Sequence, residues 1–393
     1  MNAEHPPALP VGRGRDSLRR HNLATVLERV HHSGGVSRSR LTGATGLNRS
    51  TIAALVTELV VRGLVEEVDP VTTNQVGRPS PIVRPDPRTV VIAVNPEVDA
   101  ISVAVVGLGG VVRERVRRPM DAAPDVAQAV AVITQTVDEL AGRHPAPLGM
   151  GIAVPGLVRA ADGLVRLAPH LGWRDEPLAA RLSRATGLPV AAANDAGLGA
   201  AAEHVFGAGR GLTDFVYLNG GASGIGGGII AGGVPLRGAG GYAGEFGHTL
   251  VTARGDRDRA GAPGSVELEL TRATLLRALG LDDADADGLE RALVASESAD
   301  VAAEVDRQLA FLGVVLRNAV DILNPQRIVL GGFLASLDAA VPGRLDALLR
   351  EQALAVSLDE VRVVRAELGS DILLIGAAEL AFAGLLADPA SVR

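Results

Sequence analysis

The feature that most constrains the fold is a cluster of apolar strands and helices that occurs twice after Val90. The first cluster contains the strand patterns TVVIAVNPEVDAISVAVV and LGMGIAVPGLV, separated by the amphipathic helix pattern DVAQAVAVITQTVDELAGR. The second contains FVYLNGGASGIGGGIIAGG and QRIVLGGFLA, and an Ala-rich helix pattern around IGAAELAFAGLLA follows it. Strands that alternate with helices favour layered α/β structure. Two such clusters predict a two-lobed α/β body.

The composition allows a large core and excludes several kinds of site. The chain has 393 residues, 47% of them hydrophobic and 21% charged, which is typical of a folded protein with more than one domain. It contains no cysteine, so disulfides and thiolate-bound metals are excluded, and no lysine, so a lysine-dependent phosphate loop is excluded. The N-terminal sequence lacks the apolar segment of a signal peptide, and no run of about 18 apolar residues indicates a membrane span. We therefore expect a cytoplasmic protein.

The segment before the body has the pattern of a helix-turn-helix. Ser37 and Asn48 are residue types that cap helix N-termini, Gly46 lies in a tight turn between the two short helices, and Gly63 follows the second one. A capped, amphipathic second helix after such a turn is typical of a DNA-recognition helix. The apolar stripes are Leu18, Leu23, Val26, Leu27 and Val30 in the leading helix and Ile52, Leu55, Val56, Leu59 and Val60 in the recognition helix.

The polar residues of this segment predict contacts to double-stranded DNA. Residues 1–85 contain eleven arginines and seven acids, a net charge of +4, so the remainder of a chain of net charge −7 carries −11. A basic head on an acidic body suits DNA binding. The alternative is a helical hairpin with solvated polar residues. The predicted DNA contacts are Ser37, Arg38, Asn48, Arg49, Ser50, Thr51, Thr57 and Arg78.

A wing is predicted to follow the recognition helix. LVEEV and SPIVR have the composition of two short strands, and VGRPSP between them places Arg78 on an extended backbone that could reach a minor groove. The alternative for Arg78 is an ordinary linker residue. The predicted organisation is a disordered tail over 1–16, a winged helix-turn-helix over 17–86 and the body over 87–393.

Six motifs of the body resemble the successive signatures of the ROK family (repressors, open reading frames and sugar kinases). They are GIAVPGLV, APHLGWRDEPL, NDAGLGAAAE, SGIGGGI, AGEFGHTLV and RIVLGG, and the resemblance runs from about Ser17 to near the C-terminus. It implies a winged head on an actin/hexokinase-like (ASKHA) body, a sugar cleft between two lobes, and a homodimer or homotetramer. The lobes would comprise about 87–192 with the C-terminal helix, and 193–370.

Asn194 and Asp195 match the sugar-binding Asn and the catalytic Asp of the family. An aspartate at the start of a helix is kept ionised by the helix dipole and can accept the proton of a sugar hydroxyl. The same two residues would equally serve as a helix cap. Asp195 is therefore a vestigial base candidate.

The segment that should cradle phosphate departs from the family. The family resemblance implies an Asp-Gly-x-Thr-type turn between the first two strands, but this chain has Asn95, Pro96 and Glu97 there. Pro96 removes an amide donor, and Glu97 adds negative charge where a phosphate would lie. We expect no ATP binding and no kinase activity.

The segment after the glycine-rich hairpin keeps the family's sugar contacts and loses its metal. Glu245, His248 and Glu267 match residues that face the sugar, and with Asn194 and Asp195 they form the predicted effector site. The cysteines that bind zinc together with the histidine in the family are replaced by Asp258, Ala260 and Ser265, so we expect no zinc. The loop would then be held by hydrogen bonds and packing, or be mobile until ligand binds.

Other histidines have different expectations. His170 stands where the family usually has Asn, which could retune the pocket, whereas His31, His32 and His204 are expected on helix surfaces.

These observations predict a transcriptional regulator, in particular a repressor, with a catalytically inactive kinase-like body that senses a sugar or a sugar-derived effector such as a sugar phosphate. Two alternatives remain: a sugar kinase with an appended DNA-binding head, and a DNA-binding scaffold that needs no ligand. The operator sequence and the effector are not encoded in any motif of the chain.

Overall fold

The computed structural model describes residues 15–69, 80–222, 224–253 and 255–391, which form two compact units. The first unit comprises Met1–Thr89, Gly107–Gly110 and Phe382–Arg393, and the second comprises Val90–Val106 and Val111–Ala381. The predicted boundary at residue 86 thus lies near the end of the first segment of the first unit. The sequence pattern does not indicate that Gly107–Gly110 and Phe382–Arg393 belong to this unit.

The first unit contains the predicted winged helix-turn-helix. Its sheet has the order β1-β3-β2 with antiparallel pairs, and β2 and β3 are the two predicted wing strands. The turn between the two hairpin helices uses Gly46 in the left-handed region, at a φ of 69°. The elements are α1 (Arg15–Ser33), β1 (Val36–Ser37), α2 (Arg38–Thr45), α3 (Arg49–Val61), β2 (Val65–Val68) and β3 (Ile82–Pro85).

Two predictions about the first unit need correction, the bounds of its N-terminal tail and the position of His31. Helix α1 begins at Arg15, so the predicted tail over 1–16 is too long by two residues, and residues 1–14 lie outside the described part of the chain. Leu18 and Val60, members of the two apolar stripes, are 55% and 40% exposed. Each stands at the edge of its stripe, where helical periodicity alone does not tell how far the neighbouring elements extend.

His31 is fully buried, contrary to the prediction of a surface position. Its Nδ1 accepts a hydrogen bond from the backbone N–H of Gly109 at 2.8 Å, and its ring lies 5.9 Å from that of Phe382. Both partners come from the distant segments that complete the first unit. The imidazole is buried because these segments cover it and satisfy one of its nitrogens.

The first lobe of the second unit is built on a five-stranded sheet of order β11-β7-β4-β5-β6. Strands β4, β7 and β11 are parallel, and a three-stranded antiparallel sheet of order β10-β9-β8 follows β7 along the chain. The elements are β4 (Val90–Pro96), β5 (Ala100–Gly107), β6 (Val111–Pro119), α4 (Val126–Ala141), β7 (Met150–Val154), β8 (Leu157–Val158), β9 (Val165–Ala168), β10 (Trp173–Glu176), α5 (Leu178–Thr186) and β11 (Val190–Asn194).

The second lobe repeats the design with a sheet of order β14-β13-β12-β15-β16. Its core packs the long helix α10 against this sheet, for example through Leu312, Leu316 and Ile328. The elements are α6 (Asp195–Phe206), β12 (Phe215–Gly221), β13 (Gly224–Ala231), β14 (Val234–Pro235), α7 (Val266–Glu269), α8 (Arg272–Leu279), α9 (Ala286–Ala295), α10 (Ala299–Leu323), β15 (Arg327–Gly332), α11 (Phe333–Ala340), α12 (Arg344–Gln352) and β16 (Arg362–Arg365). The C-terminal helix α13 (Ile372–Ala387) follows them along the chain. The two sheets with their helices confirm the predicted two-lobed α/β body.

One segment of the described chain, Gly369–Ala387, has the length and apolar composition of a membrane-crossing helix. A single such helix is weak evidence, because a core helix of a soluble protein meets the same criteria. This helix packs closely against β7: a Cβ atom at Gly151 would lie 1.8 Å from the carbonyl oxygen of Ala377. That contact is the kind a core helix makes.

Candidate functional site

Asn194 and Asp195 lie where β11 ends and α6 begins. The Oδ1 atom of Asn194 accepts a hydrogen bond from the N–H of Gly197 at 2.8 Å, which caps the helix, and its Nδ2 donates to the carbonyl of Gly156 at 3.1 Å. Asp195 Oδ1 accepts from the N–H of Ala196 at 2.7 Å. The amide of Asn194 therefore links α6 to the segment after β7.

Asp195 is held in an environment that disfavours its charge. Burial raises its pKa to about 7, the negative charges of Glu245 and Glu97 add to the increase, and the Ala196 hydrogen bond opposes it. The sequence prediction that the helix dipole keeps Asp195 ionised is therefore incomplete, because burial outweighs the local hydrogen bond. A carboxyl group that titrates near neutral pH can donate a hydrogen bond to a hydroxyl group when it is protonated and accept one from it when it is ionised.

The glycines of β13 let this strand approach α6 and the site. A Cβ atom at Gly228 would lie 2.5 Å from Ala200 Cβ, and one at Gly226 would lie 2.7 Å from Ala196 Cβ. Gly224 has a φ of 102°, and a Cβ there would lie 2.7 Å from Glu267 Oε2. The glycines of β13 thus allow close packing against α6 and leave room for the Glu267 carboxylate. The sequence pattern alone does not distinguish these two uses from an ordinary tight turn.

The predicted site residues Glu245, His248 and Glu267 come from two neighbouring segments. His248 ends a single 3₁₀ turn, Phe246–His248, and Glu267 lies in the short helix α7. The Glu267 side chain is 8% exposed, 3.8 Å from His248 Nδ1 and 3.7 Å from His170 Nε2. Glu267 is therefore not a surface helix residue but part of the wall of the site.

The ionisable groups of this wall change one another's pKa values. Burial raises the pKa of Glu245, and the charge of Glu267 adds to the increase. Burial alone would lower the pKa of His248, but the hydrogen bond to Asp258 and the charges of Glu267, Asp258 and Glu245 raise it above its usual range. The wall therefore offers an imidazole that favours the protonated form among several carboxyl groups.

The loop between His248 and Glu267 is closed by backbone and side-chain hydrogen bonds. Isolated bridges join Leu250 to Ser265 and Arg257 to Pro263. Asp258 lies at their inner side with a side chain that is 1% exposed, and its Oδ2 is 2.9 Å from His248 Nδ1. Hydrogen bonds and packing thus hold the described residues of this loop, which leave out Arg254.

All five predicted effector residues line one cavity of about 60 Å³. The Nε2 atom of His170 is buried there without a hydrogen-bond partner among the described residues. The lining comprises Pro155, Gly156, Pro169, His170, Asn194, Asp195, Ala196, Asn219, Gly221, Gly224, Ile225, Gly226, Glu245, His248 and Glu267.

Next to this cavity lies a larger one of about 420 Å³. It lies at the segment where the family resemblance implies a phosphate-binding turn and this chain has Asn95, Pro96 and Glu97. Glu97 lines it, and burial together with the charge of Asp99 raises the pKa of Glu97. The two arginines in its lining are paired: Arg117 with Asp99 at 2.7 Å and Arg272 with Asp283. Asn95 is buried and donates to the Ala153 carbonyl at 3.0 Å.

The side chains of this second cavity include more acids than free positive charges. Its two arginines are each paired with an acid, Glu97 lines it together with Gly220 and Gly221, and Pro96 has no N–H. Phosphate cradles depend on convergent backbone N–H donors and unpaired positive charge.

Four of the predicted DNA-contact residues have three different roles in the structure. Ser37 and Asn48 are N-caps, accepting from Arg40 at 3.2 Å and from Thr51 at 2.8 Å. Arg38 is paired with Glu67. Arg49 is exposed at the first position of α3 without a side-chain partner among the described residues.

The remaining members of the set make local bonds or cannot be placed. The hydroxyl of Ser50 donates to Asn48 Oδ1 at 2.7 Å, and that of Thr57 donates to the Ala53 carbonyl at 2.9 Å. The Thr51 side chain is partly buried. Arg78 lies outside the described residues.

Comparison with proteins of known family and structure places this geometry in context. A xylose repressor of Caldicellulosiruptor bescii is 25% identical over 95% of this chain and 98% of the relative. A glucokinase of Halalkalibacterium halodurans is 30% identical but covers 60% of this chain and 78% of the relative.

Solved structures give the same two kinds of neighbour. A ROK-family transcriptional regulator, a homologue of the E. coli MLC protein, matches 94% of this chain and 97% of its own with a TM-score of 0.76 at 22% identity. A ROK-family glucokinase from Streptomyces griseus, solved with glucose and AMPPNP, matches 75% of this chain and 100% of its own with a TM-score of 0.66 at 28% identity. The ROK family model itself matches residues 91–383, and the chain therefore belongs to the ROK family.

Proposed function

We propose that this protein is a DNA-binding transcriptional repressor whose ROK body senses a sugar and does not phosphorylate it. The observation that carries the proposal is the extent of the similarity. The xylose repressor of Caldicellulosiruptor bescii aligns with 95% of the chain, whereas the glucokinase of Halalkalibacterium halodurans aligns with 60% of it. The exposed Arg49 at the start of α3 is placed as recognition helices require, with its guanidinium free to meet a base edge or a phosphate.

The effector proposed is a monosaccharide or a close derivative. Carboxylate, amide and imidazole groups converge on the small cavity, and these groups form paired hydrogen bonds with vicinal hydroxyls. Xylose and glucose are the natural first probes because the relatives are named for them. A sugar bound among these segments would switch the protein if it binds one arrangement of them more tightly than another.

Two cofactors are proposed to be absent. The paired arginines, Glu97 and Pro96 do not suit ATP, and two of the three zinc-cysteine positions, Ala260 and Ser265, hold no strong metal ligand. A kinase with an appended head would need both sites to work in spite of these departures. A ligand-independent scaffold would leave the converging polar groups of the cavity without a purpose.

The protein is further proposed to act in the cytoplasm as a homodimer or homotetramer without membrane contact. A dimer would place two recognition helices on the half-sites of a pseudo-palindromic operator. Sedimentation with and without operator DNA tests the assembly.

Genome-wide mapping of bound sites, followed by gel-shift assays at moderate salt, tests the main proposal. We expect operator binding above bulk DNA, release by D-xylose or D-glucose, and no sugar-dependent ATP turnover. Absence of operator preference would refute the repressor. ATP turnover that is abolished in Asp195→Asn would establish the kinase alternative, and operator binding without thermal stabilisation by any of a panel of sugars and sugar phosphates would favour the scaffold.

A further inference from the structure

The loop from Thr249 to Ser265 contains the three positions at which the family resemblance places zinc-binding cysteines. Instead of cysteines it has Asp258, Ala260 and Ser265. The structure shows that Asp258 is joined directly to His248, the residue that would share the metal with the cysteines. A hydrogen bond therefore links the same two places that a metal ion would otherwise bridge.

We infer that Asp258 is a positioning residue that replaces the metal: its carboxylate orients the His248 imidazole in the cavity, so that the loop and the site work without zinc. The part of this inference that concerns ligand affinity rests on the proposed sugar-binding function. The part that concerns the loop does not.

The carboxylate of Asp258 is fixed from several directions. Its Oδ1 accepts from the N–H of Ala262 at 2.8 Å, while Oδ2 is 2.9 Å from His248 Nδ1. The backbone N–H of Asp258 donates to the carbonyl of Ala262, and the N–H of Gly261 donates to the carbonyl of Asp258, each at 2.9 Å. A buried carboxylate held by a tight turn in this way is a rigid acceptor.

The distance between the two groups fits a hydrogen bond better than shared metal coordination. Two ligand atoms about 2.0–2.1 Å from a tetrahedral zinc ion would lie roughly 3.3 Å apart, whereas Asp258 Oδ2 and His248 Nδ1 are 2.9 Å apart. Glu267 could offer a third atom, since ligand atoms of all three side chains lie within 4.8 Å of one another. A bound metal is therefore the competing explanation, and the experiment must be able to find it.

The arrangement also determines which nitrogen of His248 is available to a ligand. Because Nδ1 donates its hydrogen to Asp258, Nε2 is the nitrogen left for a ligand, and it donates a hydrogen bond when the ring is protonated and accepts one when the ring is neutral. A histidine whose second nitrogen is anchored to a carboxylate is fixed in ring orientation as well as in tautomer. The cavity thus receives a histidine of defined hydrogen-bonding character.

The experiment uses the full-length protein and two matched variants. Asp258→Asn keeps the shape of the side chain and removes the carboxylate. Asp256→Asn makes the same chemical change at an exposed acid of the same loop whose side chain makes no hydrogen bond within the described structure. For each protein we would measure the zinc content and the affinity for D-xylose and D-glucose with and without EDTA. Amide hydrogen exchange over residues 249–265 reports on the loop. The ¹⁵N signals of the His248 ring, assigned with His248→Gln, report on the imidazole.

We expect wild-type protein to contain substoichiometric zinc and to bind sugar equally well in EDTA. Asp258→Asn should lower sugar affinity by about tenfold, the lower end of the loss that removing such a partner causes at metal-bound histidines. It should also speed exchange in the loop and change the tautomer signal of His248, while Asp256→Asn changes none of these. A merely structural role would leave the tautomer signal unchanged.

A third variant, Asp258→Cys with Ala260→Cys and Ser265→Cys, provides the reciprocal test. It should take up zinc and become sensitive to EDTA in loop exchange. One equivalent of zinc in wild-type protein, with loop exchange that increases in EDTA, would overturn the inference, and so would identical behaviour of Asp258→Asn and Asp256→Asn. If neither sugar binds wild-type protein, the proposed effector class fails, and the zinc, exchange and ring-signal data still decide the role of Asp258.

Discussion

Arg38 donates two hydrogen bonds from its guanidinium group to the carboxylate of Glu67, joining the first residue of α2 to wing strand β2. Arg38 was predicted from sequence to contact DNA. In the free protein its charge is instead neutralised by the wing, and both side chains are about 70% covered, with 30% and 28% exposed. Engagement with a phosphate would therefore have to break or share this pair.

Removing the carboxylate of this pair should strengthen binding to DNA of any sequence. In Glu67→Gln, Arg38 is released to neutralise a phosphate, and each added phosphate contact steepens the dependence of log K on log salt by about 0.9. Fluorescence anisotropy of labelled duplex DNA at several salt concentrations measures the slope. Glu28→Gln, the same charge change at an exposed position of α1, is the control. Equal slopes for the two variants would mean that Arg38 does not reach DNA.

Arg49 should contribute directly to operator recognition. Its side chain is exposed at the start of α3, which makes base or phosphate contact the simplest use of its charge. We expect Arg49→Ala to cost about 1–3 kcal/mol of operator binding if it contacts a base, with reduced discrimination against bulk DNA. Arg29→Ala, on α1, changes the charge equally and should have little effect. A uniform loss on all DNA sequences would indicate a phosphate contact instead.

The sequence was informative where local chemistry decides the outcome. Ser37, Gly46 and Asn48 mark helix ends because their side chains or backbone freedom satisfy the end of a helix locally, and the structure uses them in that way. Asn194 likewise caps α6 while bonding Gly156 across the site.

It was uninformative where a distant segment decides the outcome. The burial of His31 depends on Gly109 and Phe382, which lie far along the chain and carry no pattern that links them to a helix-turn-helix. Asp258 was interpreted only as a missing cysteine, because its partnership with His248 depends on how the loop folds back. The sequence signal for this partnership was an acid at a position where the family has a zinc-binding cysteine, ten residues after His248.

The close approach of β13 to α6 predicts a large effect of a small substitution. A methyl group at Gly228 would lie 2.5 Å from Ala200 Cβ and 2.8 Å from the Ala196 carbonyl oxygen, so strand and helix must separate. Overpacking of this kind typically costs about 1–3 kcal/mol, and we expect Gly228→Ala to lower the free energy of unfolding by that order and to weaken sugar binding. Urea unfolding and calorimetric titration measure the two effects.

Gly142→Ala is the control for this substitution. Gly142 follows α4 with a φ of −76°, and a Cβ atom there would meet no atom within 4 Å. The variant should be neutral or slightly more stable, because alanine reduces the freedom of the unfolded chain. Similar losses in both variants would show that the strand–helix contact is not the cause.

Asp195 makes stability depend on pH in a direction set by its surroundings. Burial and the charges of Glu245 and Glu97 raise its pKa from 3.8 to about 7. The folded protein therefore holds this proton over a pH range in which the unfolded chain has released it. The stabilisation that results is fully present below about pH 3.8 and is lost as the pH rises through about 7.

Asp195→Asn removes this titration and keeps an oxygen that can accept from the N–H of Ala196. Relative to wild type, the variant should gain stability as the pH rises from 4 and should level off above about pH 7. This pKa shift corresponds to a change of at most about 4 kcal/mol in the free energy of unfolding. Partial solvent exposure of the Asp195 side chain reduces that change.

Urea unfolding of wild type and Asp195→Asn between pH 4 and pH 8 measures the difference directly. Asp121→Asn, at an exposed position, provides the comparison for an aspartate outside the site. A difference between wild type and Asp195→Asn that stays constant across this range would show that Asp195 does not titrate there. A difference of the opposite sign, with wild type favoured at high pH, would mean that the carboxylate is stabilised by the fold. In that case the charge of Asp195, rather than its proton, would be what the site presents to a sugar hydroxyl.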